Sequence, residues 1–414
     1  MPREVHRERR DCLILSPSFP PSVDPRALQS KLIAKYLVSL GLHVDVLANP
    51  LGSAQPINHH GLDDQSLTPS AIRTIRPEQT LKPPQWLLPL YRAYRPTDPY
   101  CYYPALAAAL RQLLTVSRYS LVVSVAEPLV SHEIILKHSE AFEESTLISV
   151  FGDPVPTAAD ENMMKLRLRR ERCKSIATRI ADRSAVSIAP TREILDFLAE
   201  NDHSERRTLV LPHSFDSADW PFPSQSSGPV NERITLLHCG ALYYRRRPDN
   251  LIEGVLLAQA EKPDLTWRLK LVGSVDPALR LNYISGPGSG LISLSGPVTY
   301  TAARSEIRNA DILAVIDCDL ERNIHLPAKV ADYVGACKPI LYIGQPTSPT
   351  CRLLAPIHPL FEQAQTPLEI KNALLRLVHK MASTNTLAYR RVYDALRFET
   401  VYQPINAIAR SAIG

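Results

Sequence analysis

Short apolar runs alternate with segments whose apolar residues recur every three or four positions, and that alternation leaves few folds open to the chain. The run "CLILS" (12–16) is followed by "RALQSKLIAKYLVSLG" (26–41), in which Leu28, Leu32, Ile33, Tyr36, Leu37 and Leu40 share one helical face and Gly41 supplies the stop. "HVDVLAN" (43–49) then returns as a strand, completing a βαβ unit. The Pro-rich turn "PSFPPSVDP" between the first two elements therefore belongs at the carboxyl edge of a parallel sheet, where ligands usually bind.

From about 50 to 104 the pattern weakens into Pro, Asp, Asn and Gly with scattered aromatics, which reads as a long insertion or substrate loop. Regularity returns with a helix at 105–115, the strands "LVVSVA" (121–126) and "TLISVFGDP" (146–154), a strand at 185–190 and a helix "TREILDFLAEN" opened by a capping Thr. The stretch 216–233 lacks periodicity and reads as a linker. Beyond it come "ITLLHCG", "PDNLIEGVLLAQAEK", "WRLKLVG", a helix near 276–284, "LISLSG", "YTAARSEIRNA", "DILAVID", a helix opening at Pro327 and "PILYIG". The predicted fold class is α/β, with two Rossmann-like doubly wound domains facing across a cleft. Their boundaries are 1–215, 216–233 for the linker, 234–385, and a helical segment 386–414 that returns toward the first domain.

A chain of 414 residues, 45% hydrophobic and 21% charged, has ample core for two such domains. Its seven cysteines form no CxxC pair, which suits reduced thiols and a cytoplasmic setting. The amino-terminal apolar run is too short for a signal peptide, and no apolar stretch approaches the ~20 residues of a spanning helix. A net charge of +5 is too small to imply nucleic acid without a basic cluster interleaved with aromatics. One basic cluster stands without aromatics: residues 163–183 hold eight Lys and Arg against two acids, with Leu166, Cys173, Ile176, Ala177 and Ile180 at helical spacing. It is either a solvated face over a core stripe or a surface for docking on anionic lipid headgroups, which would place the protein on the inner face of the cell membrane.

Candidate chemistry gathers at strand ends of the second half. Pro327 at a first helical position, with Lys329 behind it, points the free amides of a helix start at the binding edge, a ready anion site. Asp332, one turn on, can accept from a sugar's hydroxyl pair. Gly240 permits close backbone approach at the end of its strand, and Arg245, Arg246 and Arg247 precede the next helix. Gly273 ends a third strand on the same edge. In the first half, Asp153 in "SVFGDP" is a turn residue or an acceptor-side base, and His132 is structural unless the fold exposes it.

The order of these elements resembles the GT-B-fold glycosyltransferases, in particular the family-4-like retaining enzymes of bacterial polysaccharide assembly. The likeness is diffuse over about 12–345 and sharpest in "LPAKVADYVGACKPIL", similar to that family's Pro-x-Lys-x-x-Glu-Tyr-x-x-x-x-Lys-Pro segment. The resemblance implies transfer of a sugar from a nucleoside-diphosphate donor to a hydroxyl of a glycan or lipid-linked glycan, with retention and without a metal or other cofactor. It implies that Asp332 meets the donor ribose, that Lys329 and Arg246 or Arg247 hold the diphosphate, and that the backbone around Tyr300 meets the nucleobase. The chain departs from the family at Ile324, where the first acid of a Glu-x7-Glu pair is expected, and at Ala241, where many members carry Arg. Those departures leave two alternatives open: a nucleotide-sugar-binding subunit without transfer activity, and a sugar-nucleotide epimerase.

Overall fold

The computed structural model describes residues 8–22, 24–49, 71–77, 83–95, 97–98, 101–154, 167–199, 207–223, 232–243, 245–277, 279, 290–318 and 323–414. They divide into two compact units, Met1–Pro212 with Val401–Gly414, and His213–Thr400.

The first unit contains β1 (Glu8–Leu15), α1 (Pro25–Ser39), β2 (Val44–Leu47), β3 (Ile72–Ile75), α2 (Leu88–Tyr94), α3 (Tyr103–Val116), β4 (Ser117–Val125), α4 (Val130–Lys137), β5 (Thr146–Val150), α5 (Arg167–Arg183), β6 (Val186–Ala189), α6 (Arg192–Ala199) and β7 (Thr208–Val210). Its parallel sheet runs β3-β2-β1-β4-β5-β6-β7, so the order reverses between β1 and β4, with Leu13 opposite Val122. Helix α1 starts where it does because the Asp24 carboxylate accepts from the amides of Arg26 and Ala27, and Pro25 brings a preset φ to the first position. Gly41, at φ +89°, ends the segment as expected.

The second unit contains β8 (Arg233–Cys239), α7 (Asp249–Glu261), β9 (Thr266–Val272), β10 (Ile292–Ser295), α8 (Tyr300–Asn309), β11 (Ile312–Ile316), α9 (Lys329–Gly335), β12 (Ile340–Ile343), α10 (Pro349–Leu354), β13 (Phe361–Ala364), α11 (Pro367–Met381) and α12 (Arg390–Leu396). Its parallel sheet runs β10-β9-β8-β11-β12-β13 and reverses between β8 and β11. Both sheets thus carry the Rossmann-like order, in which ligands bind where the strand order reverses. Helix α13 (Phe398–Val401) ends at the boundary between the units, and α14 (Asn406–Ile413) belongs to the first.

Three differences from the sequence reading have local causes. The edge strand β3 and helix α2 lie in the segment expected to be irregular; β3 is held by register with β2, Val44 opposite Ile72, rather than by an apolar pattern of its own. The segment 386–414 is broken rather than one helix: Arg397 is extended (φ −67°, ψ 145°) and Pro404 sits in a 3-10 turn. In the stretch expected as a linker, Trp220 is buried in the core of the second unit beside Phe215, and Tyr393 Oη donates to its carbonyl. The helix expected near 276–284 and the start of the basic helix lie largely or wholly outside the described residues.

Candidate functional site

At the reversal of the second sheet, two glycines allow backbone to pack on backbone. Gly240 (φ +143°) follows β8 and Gly273 (φ +133°) follows β9, conformations that side chains rarely adopt. A methyl on Gly273 would meet the Gly240 carbonyl oxygen at 2.5 Å, and one on Gly240 would collide with Lys329 Nζ. The loops are tied by Gly240 N–H to Val272 O (2.7 Å) and Leu242 N–H to Ser274 O (2.8 Å). Both glycines picked from the sequence are therefore needed for approach, and Gly240 forms the floor on which the Lys329 ammonium lies.

Lys329 is bonded in an unusual way. Its Nζ donates to His238 Nε2 at 3.1 Å, while His238 Nδ1 lies 2.9 Å from the Ala314 carbonyl oxygen. A carbonyl only accepts, so Nδ1 carries the ring proton and Nε2 offers a lone pair. His238 is fully buried, and burial together with the neighbouring Lys329 charge holds its pKa well below the usual imidazole range. Burial, followed by the charge of Arg246, pulls Lys329 down to about 7. The Arg246 guanidinium lies 5.2 Å from the Tyr243 ring centre and its Nη2 is 3.4 Å from Cys318 Sγ. The Asp317 carboxylate, at the end of β11, acts on both cations through its charge, but Tyr342 Oη donates to one of its oxygens (2.5 Å) and the Cys318 amide to the other (2.8 Å). Two cations thus lie near each other at a strand end, and among the described residues no carboxylate is hydrogen-bonded to Lys329.

One turn along α9, Asp332 Oδ1 accepts from Trp220 Nε1 (2.9 Å) and from Tyr300 Oη (2.8 Å). No described residue bonds Oδ2. Burial raises Asp332 to about 6, against the two donors, which lower it. Around it Arg304 pairs with Asp219, and the Arg308 guanidinium lies 5.1 Å from the Trp220 ring centre. Gly335, at the end of α9, packs against Trp220 and Phe215; a methyl there would meet Trp220 Cγ at 2.8 Å. Tyr300 is thus a clasp on Asp332, a role its expected position by a nucleobase did not foresee.

Several expectations change. Pro327 is not the first helical residue: α9 begins at Lys329, and Pro327 supplies the carbonyl that accepts from Val330 N–H. A helix of seven residues carries little dipole, so the Lys329 side chain, and not the helix start, is the charge at this edge. Arg247 is bonded at the surface to Asp249, Nε to Oδ2 at 2.8 Å, so of the arginine triplet it is Arg246 whose charge acts on Lys329. Ile324 is buried. The metal-free expectation passed over one Asp-x-Asp triplet, Asp317-Cys318-Asp319; Asp317 has both oxygens engaged as described, and Asp319 lies outside the described residues. His238 and Trp220 were missed altogether. The signal for His238 was a polar ring inside the apolar run "ITLLHCG"; Trp220, in an aperiodic stretch, gave none.

In the first unit, Asp153 follows β5 and forms an ion pair with Arg26 at 2.9 Å, while Arg26 Nη1 donates to Gln29 Oε1. The guanidinium lies flush on Gly152, where any side chain would collide with it. That pairing anchors Asp153 to α1 and makes it a poorer candidate for a free base. His132 is fully buried, bonded through Nδ1 to Ser124 Oγ (2.7 Å) and packed edge-on against Phe151, as a core histidine.

Comparison with known proteins identifies the fold. No family model matches the sequence, and no curated protein matches it significantly. Solved structures do match over nearly the whole chain. Sucrose-phosphate synthase from Thermosynechococcus elongatus superposes with a TM-score of 0.64 at 14% identity, covering 98% of this chain and 99% of that one. Anabaena HepE, solved with UDP, gives 0.63 at 12%, covering 97% and 100%. WaaG, a glycosyltransferase involved in lipopolysaccharide biosynthesis, gives 0.58 at 12%, covering 96% and 99%. The chain therefore has the GT-B fold, two Rossmann-like α/β units.

Proposed function

We propose that the protein is a glycosyltransferase that moves a sugar from a nucleoside-diphosphate donor to a hydroxyl of a glycan or lipid-linked glycan in cell-surface polysaccharide assembly. The observation that carries this reading is the Lys329 ammonium, laid over Gly240 beside Arg246 with no carboxylate among the described residues bonded to it. Two cations gathered at a strand-order reversal await an anion, and a diphosphate supplies one of the right size and charge. Asp332 Oδ2 then accepts from a ribose hydroxyl. As the bond to the sugar breaks, negative charge collects on the departing diphosphate, and cations already in place stabilise it without reorganising. Structures of the same fold, HepE with UDP and the glycosyltransferase WaaG, support the reading by analogy.

Calorimetry with UDP, ADP and GDP, each with Mg2+ and with chelator, tests the donor site and the metal-free expectation together. Incubation with candidate donors and acceptors, followed by NMR of the anomeric carbon, tests transfer and retention. A product formed without acceptor points to an epimerase; binding without turnover points to an inactive subunit.

The acceptor reading is favoured by a surface of the first unit. Trp86, Leu90 and Tyr94, at four-residue spacing, are 77%, 67% and 66% exposed. Arg172 of the basic helix α5 donates to the Tyr94 carbonyl (2.8 Å), and Arg172 and Arg95 both hold the buried Glu133. An apolar row next to a basic helix has the make-up of an interfacial anchor on anionic lipid, so the protein works as a peripheral protein on the cytoplasmic face. Among the described residues no helix is long and apolar enough to cross a membrane.

A further inference from the structure

We propose that His238 is the positioning residue of the anion site: through Nε2 it holds over Gly240 the Lys329 ammonium, whose burial beside Arg246 links polyphosphate binding to the uptake of a proton. The proposal rests on the donor-site reading above and adds a residue and a linkage to it. The geometry leaves His238 one role toward Lys329. Its Nδ1 proton is committed to the Ala314 carbonyl of β11, the ring is sealed from water, and the remaining lone pair faces Nζ. A neutral imidazole can fix the direction of an ammonium, but it cannot balance its charge.

Among the described residues, His238 of β8 is bonded to Nζ, and the charges that act on it are those of Arg246 from the loop after β8, Cys239 of β8, and Asp317 and Cys318 from the end of β11. The Cys239 thiol is pushed up to about 11 by burial and stays neutral, and Asp317 is already bonded twice. With Arg246 adding like charge, the ammonium is poised near neutrality, at about 7. A diphosphate reverses the local field, so a neutral Lys329 amine takes one proton from solvent as the anion binds; no other bond is made or broken.

Two measurements test this. In ligand-free protein, lysines are labelled by reductive 13C-methylation and titrated by NMR, with Lys329→Arg for assignment. In parallel, UDP binding is followed by calorimetry from pH 6 to 9 in buffers of different ionisation enthalpy. The expected wild-type result is a Lys329 resonance titrating near 7, proton uptake approaching one per UDP at pH 8, and affinity falling by up to tenfold per pH unit above 7. His238→Leu should shift the Lys329 titration and the basic limb of binding to lower pH, with UDP affinity at pH 7 down by about tenfold. His238→Gln, which keeps an acceptor for Nζ, should restore most of it. If His238→Leu does not fold, the wild-type and His238→Gln measurements still decide.

An ordinary lysine titration near 10 overturns the proposal, as does a uniform loss of affinity in His238→Leu with the limb unmoved, which is what a merely structural histidine would give. Failure of UDP, ADP and GDP to bind at every pH removes the donor-site reading and the coupling with it; the ligand-free titration then decides separately whether His238 positions Lys329.

Discussion

Lys329 and Asp332 sit one turn apart on α9 and pull against each other in pH. On the donor-site reading proposed above, nucleotide binding needs Lys329 charged, which holds below about 7, and Asp332 ionised, which holds above about 6. UDP affinity is therefore expected to be bell-shaped, with its maximum between those values; a flat profile from pH 5 to 9 would remove one or both groups from the site. Lys329→Met should cost about 10- to 100-fold in UDP affinity, the worth of one or two charge-assisted contacts, read by calorimetry at pH 6.5. Asp332→Asn makes an opposite pair of predictions. The folded carboxyl holds its proton up to about 6, above its usual value of 3.8, so its contribution to stability is complete below about 4 and lost as pH rises through 6. At pH 7 the ionised group is a cost, and Asn, whose oxygen still accepts from Trp220 and Tyr300, should stabilise the second unit by about 1–2 kcal/mol in urea unfolding. The same substitution should weaken UDP binding. Of these residues, Gly240, Gly273, Lys329 and Asp332 were legible in the sequence because each is marked by a residue type at a strand or helix end. His238 was not, since a histidine in an apolar run has no meaning until the side chain that meets it, ninety-one positions away, is known.

At the scale of elements, α2 and α5 carry a prediction of their own. The basic helix was readable from its charges, and the apolar row beside it was not: Trp86, Leu90 and Tyr94 sit in a segment whose prolines hide a helical spacing of four. Glu133 joins the two helices by accepting from both Arg95 and Arg172, a contact that no local pattern announces. Sedimentation with vesicles rich in anionic lipid should capture the protein at low salt. Trp86→Ala with Leu90→Ala should release it at all salt concentrations, whereas neutralising Arg170 and Arg179 should weaken capture mainly at low salt. Equal binding by all variants, or none to any vesicle, would sink the membrane reading. The edge strand β3 and the end of α9 teach the same lesson in the fold: register with a neighbour makes the one, and the other stops where Cys337 turns to a positive φ of 52° just after Gly335 packs on Trp220 and Phe215.

At the scale of the whole molecule, the chain leaves the first unit after Pro212 and returns to it at Val401. Tyr402 packs against Tyr36 of α1 with ring centres 6.1 Å apart, and Ile405, Ile408 and Ala409 are buried. Truncation after Thr400 should therefore loosen the first unit. Hydrogen exchange is expected to speed up in α1 and β4 while β8, β11 and β12 keep their protection; unchanged protection in α1 and β4 would contradict it.

The sequence by itself determined two parallel α/β sheets and the strand ends at which chemistry gathers, because the periods of strand and helix and the placement of glycine are local properties of the chain. Only the tertiary structure decided how those ends work. Which cation lies on Gly240, which donors hold Asp332, and which arginine of the triplet turns inward follow from contacts between residues far apart in sequence, and packing alone selects them.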